Sequence, residues 1–479
     1  MARPNVLLFC VDQWTGLLAG YMGHDCILTP TRDQLAANGV LFPRAYSQTP
    51  TCIPARRALM TGTTAQTHGD RVFDETLEMD PDLPTMPQVF RDAGYQAYAV
   101  GKLHIYPQRD RIGFDEVILQ EEGRHHLGNV KDDFERFLEE EGYSGQELTH
   151  GMCNNEYDVR PWHLPERCHP TNWTAREMCR VIQRRDPTRP AFWYCSFIAP
   201  HPPVTPPEQY LELYRHVGVD DPFVGEWARD FDELPYALKQ HADKFSARRF
   251  SDTEIRLARE AFYAQCTYID HQMRLVLGTL REEGLMDDTI IMLTGDHGDM
   301  LGNHNLWAKP PMFEWSVRVP MILVPTAAYD RVGHHQVDDR LVELRDVMPT
   351  LLDLCDIPVP DTVEGFSLAS DRQRDHIYSE HYEDERAMRM VRSDRWKLIW
   401  YPVGNRFQLF DLVRDPLEMV DLSGAPEHAA EMDRLKDLMV QNLYGSDMQW
   451  VEEGELVGEP DKEFEPAPNR SFTAQRGWR

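Results

Sequence analysis

The 479-residue chain is short of several things, and each shortage narrows what it can be. No apolar stretch approaches the roughly 18–20 residues that a membrane-crossing helix needs, so no membrane partner is expected. Basic side chains are scarce: 50 Lys and Arg stand against 79 Asp and Glu, a formal net charge of −29. Nucleic acid is excluded as a partner, because binding it requires a basic face that displaces counterions. The same field would repel a polyanionic polymer offered as substrate. The nine cysteines are odd in number, scattered, and contain no C-x-x-C pair, which argues against a disulfide framework or a zinc cluster. A reduced, cytoplasmic setting is the expectation. The run Val6–Val11 is too short for a signal-peptide core and no small-residue cleavage site follows it. No internal repeat is present.

What remains is ordinary globular material, 42% apolar and 27% charged, enough for roughly two to three domains around a large core. Four apolar runs end abruptly in polar residues. Val6–Val11 leads into Asp12-Gln13, and Ala97–Val100 into Gly101-Lys102-Leu103-His104. Phe192–Ile198 leads into Pro200-His201-Pro202, and Thr289–Leu293 into Gly295-Asp296-His297-Gly298. Near-continuous apolar strands separated by helical stretches predict an α/β fold whose sheet is covered on both faces. Open sheets of this class place ligands beyond the carboxyl ends of their strands, where all four polar clusters sit.

A capping box, Ser251 with Glu254, opens a long amphipathic helix carrying Ile255, Ala258, Phe262, Ile269, Met273 and Val276, and Gly284 suits its C′ position. A shorter helix is predicted over Asp132–Glu141. Between about Glu121 and Thr174 the chain turns rich in His, Gly, Asn and Trp without clear period, the mark of a surface insertion or a substrate-facing loop. After about Asp371, three short strands (Met388–Arg392, Trp396–Tyr401, Phe407–Leu412) and a helix from Glu427 to about Leu443 predict a small antiparallel α+β unit. The reading is therefore a catalytic domain over 1–370, a small C-terminal domain over 371–451 and an extended arm over 452–479. Its isolated Leu456, Val457, Phe464, Phe472 and Trp478, with Arg470, Arg476 and Arg479, suit docking onto a second protomer of a homodimer or homotetramer.

The segment from Pro50 to Gly62 contains Cys52-Ile53-Pro54-Ala55-Arg56. Proline suits a first helical turn, so Cys52 is expected at a helix start, where free amides and the helix dipole favour an anion and lower a thiol's pKa. With Gly94–His104, this segment resembles both signature regions of the type I sulfatases, within the alkaline phosphatase superfamily. The resemblance continues through Asn5–Asp12, Pro200-His201-Pro202, Thr294–Gly298, Lys309–Pro320, Trp396-Lys397-Leu398 and Leu409–Leu412, most of the chain. Ile53 and Ala97 depart from the residues usual at those places. The implied fold is a large mixed, mostly parallel sheet between helices with a small C-terminal antiparallel unit.

The resemblance also implies the chemistry. The cysteine is oxidised to formylglycine, whose hydrate attacks sulfur, displaces the alcohol and then expels sulfate as the aldehyde re-forms. On this chain that residue is Cys52, and a formylglycine-generating enzyme is the implied partner. Asp12, Gln13, Asp296 and His297, with Cys52, are the implied ligands of one divalent metal. Gln13 and His297 stand where many sulfatases have Asp and Asn, which makes Mn²⁺ or Mg²⁺ as credible as Ca²⁺. Arg56, one turn beyond Cys52, braces the diol. Lys102 and Lys309 hold the sulfate, His201 protonates the leaving oxygen, and His104 takes the proton on collapse. Trp14, Trp162, His304 and Trp307 fit either a leaving-group pocket or the core. The expected substrate is a small sulfate ester. The alternative is a phosphonate monoester or phosphodiester hydrolase, which shares the Asp-Gln and Asp-His pairs but typically replaces Lys102 and His104. An inactive sulfate-binding scaffold is argued against by the intact set of Cys52, Arg56, Lys102, His104, His201 and Lys309.

Overall fold

The computed structural model describes residues 3–128, 130–152, 154–246 and 250–466. In chain order the strands of the larger part are β1 (Asn5–Asp12), β2 (Val40–Leu41), β3 (Ala45–Tyr46), β4 (Gln96–Gly101) and β5 (Glu116–Leu119). They continue as β6 (Ala191–Pro200), β7 (Thr289–Gly295), β8 (Met321–Val324), β9 (Gln336–Val337) and β10 (Val342–Glu343). Eight of these form one sheet, ordered β5-β4-β6-β1-β7-β8-β2-β9. β5, β4, β6, β1 and β7 run parallel, and β8 is antiparallel to both of its neighbours.

The apolar runs are explained by burial on both faces. Along β1, Leu7, Phe9 and Val11 enter one core, while Val6, Leu8 and Cys10 enter another. Each side chain so buried contributes about 1.5–3 kcal/mol, which fixes the strand without any polar alternation. The helix Asp252–Glu282 packs on β6 and on the helix Pro170–Gln183, and Ser251 and Glu254 make the reciprocal capping box. Asp132 and Glu135 do the same for the helix Asp133–Glu140.

The C-terminal unit has four antiparallel strands, one more than expected: β11 (His376–His381), β12 (Met388–Ser393), β13 (Trp396–Tyr401) and β14 (Arg406–Asp411). The helix Ala429–Asn442 lays Leu435 and Met439 against Val391, Leu398, Trp400 and Leu409. A small hairpin follows, β15 (Val451–Glu452) with β16 (Glu455–Leu456), and it returns Leu456 to this core beside Trp450. Phe464 meets Phe231 edge-on at 5.4 Å. The described part of the segment read as an extended arm therefore packs on its own protomer. Arg470, Phe472, Arg476, Trp478 and Arg479 lie outside the described residues.

A buried network ties the C-terminal unit to β3 and to the short helix Glu314–Val317 of the larger part. Lys397 Nζ lies 3.0 Å from Glu314 and 2.8 Å from Glu418, and the Tyr46 hydroxyl donates to Glu314 at 2.9 Å. Among the described residues no helix is long and apolar enough to cross a membrane.

Candidate active site

Four neighbouring parallel strands, β4, β6, β1 and β7, deliver Lys102, His201, Asp12 and Asp296 to one edge of the sheet. Opposite them the helix Cys52–Thr61 begins at Cys52 itself, with Thr51 as N-cap and Pro54 in its first turn, as the proline predicts. The Thr51 hydroxyl donates to His381 Nε2 at 3.2 Å, so β11 of the C-terminal unit steadies the residue before the nucleophile position.

Cys52 Sγ lies 3.1 Å from His297 Nε2 and 3.7 Å from Asp12 Oδ1. The helix start does not lower its pKa as expected. Burial, then Asp12, push the thiol up, outweighing Lys102 and Lys309. Loss of water and a facing carboxylate here exceed what a helix N-terminus supplies.

Arg56 is the hub of the site. Its Nε donates to Asp296 at 2.9 Å and its Nη2 to Asp12 at 3.4 Å. Nη1 donates to the Lys102 carbonyl (3.0 Å), Ser196 Oγ (2.9 Å) and the Tyr194 hydroxyl (3.2 Å). It thus braces the carboxylates and reaches all four strands, β6 through Tyr194 and Ser196 within the strand. Burial disfavours charge on Asp12, yet Lys102, His201 and Arg56 hold its carboxyl well below the usual range. Lys102 Nζ bridges Asp12 and Glu122, and Lys309 Nζ donates to Gln13 Oε1. Gln13 Nε2 donates to Asp299 Oδ2 at 2.5 Å and to the Tyr157 hydroxyl at 3.0 Å, so Oε1, held by Lys309, is the end that a metal would use once Lys309 moves.

The two remaining histidines are buried. Burial, Lys102 and Arg124 push His104 far below its ordinary value, and its Nδ1 has no partner. His201 donates Nδ1–H to the Pro202 carbonyl at 2.8 Å, and burial lowers it against the pull of Glu122, 3.8 Å away.

The chain matches the Sulfatase family model over residues 4–357. The chain belongs to the sulfatase family. A second model, the C-terminal part of N-sulphoglucosamine sulphohydrolase, matches residues 302–444. An arylsulfatase of Clostridium perfringens is 32% identical over 95% of this chain and 97% of its own. Arylsulfatase K of Gallus gallus is 26% identical over 91% of this chain and 82% of its own. In fold, the phosphonate monoester hydrolase of Agrobacterium radiobacter superposes with a TM-score of 0.80 at 23% identity, covering 95% of this chain and all of that one. This sulfatase is a sulfuric ester hydrolase with the alkaline-phosphatase-like architecture.

The family implies a divalent metal and a cysteine-derived formylglycine. The residues fit the metal. Ligand atoms of Asp12, Cys52, Asp296 and His297 all lie within 4.8 Å of one another, and all four residues are buried. His297 gives Nδ1–H to the Gly298 carbonyl at 3.0 Å, which leaves the lone pair of Nε2 facing Asp12 and Asp296 at 3.6 and 3.7 Å. Burial pushes that imidazole down to about 4, so it is neutral and ready to ligate.

The structure brings together every residue expected in the sulfatase site: Cys52, Arg56, Lys102, His104, His201, Lys309, Asp12, Gln13, Asp296 and His297. It sorts the four aromatic candidates. Trp14, His304 and Trp307 are core residues, packed respectively on Arg32, on Trp227 and Phe223, and on Tyr157. Trp162 instead lines a cleft beside His201. Sequence reasoning missed Glu122, Tyr157 and Asp299. Glu122 and Tyr157 fall in the aperiodic stretch read as a surface insertion or a substrate-facing loop. Asp299 stands in the same polar loop as Asp296 and His297.

Proposed function

We propose that this sulfatase hydrolyses a sulfate monoester through formylglycine formed from Cys52, with one divalent metal held by Asp12, Gln13, Asp296 and His297. The observation that carries the reading is the position of Cys52 Sγ between His297 and Asp12, at a helix start facing Lys102. When bound, the metal supplies charge that makes the nucleophilic oxygen more acidic and draws in a sulfate oxygen. The formyl group supplies, as its hydrate, an oxygen nucleophile and a second hydroxyl whose deprotonation lets sulfate leave. Lys102 and Lys309 turn from Asp12 and Gln13 to the sulfate oxygens and hold the charge that develops there. Arg56 keeps Asp12 and Asp296 in place. His201 presents Nε2 to the leaving oxygen, and an arriving anion favours its protonated form. His104 is neutral with Nδ1 unpartnered, which suits a proton acceptor.

The metal is Ca²⁺, Mn²⁺ or Mg²⁺, the oxygen-rich set with one imidazole suiting each. A formylglycine-generating enzyme is the maturation partner, the compartment is cytoplasmic, and the assembly is a homodimer or homotetramer. Peptide mass spectrometry on active protein is expected to find the formyl residue at position 52, and Cys52→Ala to abolish turnover of 4-nitrophenyl sulfate. Full turnover by Cys52→Ala refutes the mechanism. The pairs Asp12-Gln13 and Asp296-His297 support a second activity on phosphonate monoesters and phosphodiesters, while Lys102 and His104 support sulfate as the better substrate. A higher kcat/KM for the phosphonate ester would reverse that order.

A further inference from the structure

A cleft opens from the leaving-group side of the site, and its lining is unusual for an enzyme whose substrate is an anion. It begins at Glu122 and His201 and runs between Trp162, His150 and His169 to Glu147. Three glutamates line it, Glu121, Glu122 and Glu147, and among the described residues lining it there is no lysine or arginine. Glu121 is occupied, accepting the His104 amide at 2.7 Å with Arg124 3.7 Å away, and burial pushes the Glu147 carboxyl up from its ordinary value. Glu122 is the glutamate at the site end of the cleft, against Lys102 and 3.8 Å from His201. Burial opposes its charge, but His201 and Lys102 outweigh burial and hold Glu122 ionised.

In the ligand-free protein Glu122 is answered by Lys102, which also holds Asp12. A bound sulfate ester needs that ammonium. A carboxylate left beside the sulfate group without a counter-charge weakens anion binding, since like charges a few ångströms apart in a buried site repel strongly. Its presence makes sense when the ester itself brings a positive charge next to the leaving oxygen.

The rest of the cleft agrees. Burial pushes His150 down to about 4 and His169 to about 3, so neither imidazole competes with a cation. Trp162 offers an aromatic surface of the kind that attracts ammonium groups. His150 is buried (4% exposed), takes the Met152 amide on Nδ1, and has no partner for Nε2, a free donor for an oxygen of the ligand. The free space, about 50 Å³, holds roughly three to five waters at the volume one water requires. That matches a short aminoalkyl group rather than a sugar chain.

We propose that the alcohol released by this sulfatase carries an ammonium group, primary or quaternary, within a few bonds of the ester oxygen, and that Glu122 binds it. The proposal rests on the sulfatase reading above. Its test compares 2-(trimethylammonio)ethyl sulfate with its neutral isostere 3,3-dimethylbutyl sulfate, using 4-nitrophenyl sulfate as reporter. The formylglycine-bearing enzyme is expected to prefer the cationic ester by at least tenfold in kcat/KM, and Glu122→Gln to bring that ratio close to one. Equal or reversed preference in the wild type overturns the proposal. So does a Glu122→Gln variant in which both esters fall by the same factor, since Glu122 would then serve His201 or Lys102 alone. A readout free of variants is inhibition of 4-nitrophenyl sulfate turnover by the two product alcohols, with the cationic one expected to bind at least tenfold tighter and equal binding counting against the proposal. Failure to hydrolyse any of the three esters would instead overturn the sulfatase reading itself.

Discussion

Replacing Arg56 by methionine keeps most of the side-chain volume and removes five donated hydrogen bonds at once. Two of the acceptors are the carboxylates of Asp12 and Asp296, which are fully buried with it. Breaking a buried ion pair by removing one partner typically costs about 3–5 kcal/mol, because the remaining charge is left uncompensated. That loss is expected in metal-free protein. A divalent cation neutralises the same two carboxylates, so the variant should bind it more tightly than the wild type. A tenfold gain in affinity would narrow the stability gap by about 1.4 kcal/mol. The measurement is urea unfolding followed by tryptophan fluorescence, for wild type and Arg56→Met, in EDTA and in saturating Ca²⁺ or Mn²⁺. Arg56→Lys, which retains charge but not the fork that reaches four strands, should recover only part of the loss. A metal-free Arg56→Met that unfolds at the wild-type midpoint, or a gap that metal leaves unchanged, refutes the account of Arg56 as the brace of the metal carboxylates.

Three further outcomes are expected. Asp296→Ala should remove both bound metal, read by elemental analysis, and sulfatase activity; stoichiometric metal with normal rates would sink the ligand assignment. Lys397→Met removes the ammonium shared by Glu314 and Glu418 and leaves Glu314, among the described residues, only the ion pair with Arg318 at 3.5 Å, which should cost about 3–5 kcal/mol and expose the junction before β11 to limited proteolysis; unchanged protease resistance would count against the clamp. His68, His169 and His241 are pushed down by burial, each to about 3. Since the unfolded chain binds these protons near pH 6.5 and the folded chain does not, stability should fall as pH drops from about 6.5 toward 3. Each such histidine adds about 1.4 kcal/mol per pH unit, so His169→Asn should flatten the profile by about one proton, and an unaltered slope would disprove its part.

The sheet was legible because strands covered on both faces must be apolar throughout, and β1, β4, β6 and β7 are. Their polar ends located the site for the same reason: the chain leaves the core there. The capping box at Ser251 marked the start of the long helix, and the apolar side of Asp132–Glu141 marked the shorter one to within a residue. β11 escaped because its buried polar residues read as loop. Ser379, Glu380 and His381 are satisfied by Ser47, Gln48, Arg71 and Thr51, partners hundreds of residues away. Glu122 escaped for a similar reason, since nothing in an aperiodic stretch says which carboxylate will meet Lys102. The thiol's pKa was misjudged because a helix start is visible in sequence while the burial that overrides it is not. Trp14 and Trp307 look alike to Trp162 in composition; only packing separates core from cleft.

Every residue of the helix Cys52–Thr61 is buried, and Cys52 is only 1% exposed in the folded chain. On the maturation proposed above, oxidation of that side chain by another enzyme has a deadline, set by the folding of the chain that carries it. Molecules that close first are trapped with a thiol and stay inert, however much oxidase is added later. The active fraction of a preparation is then a record of a race run during synthesis. Slowing translation or lowering the growth temperature acts on specific activity through that race, without altering a single contact in the finished structure.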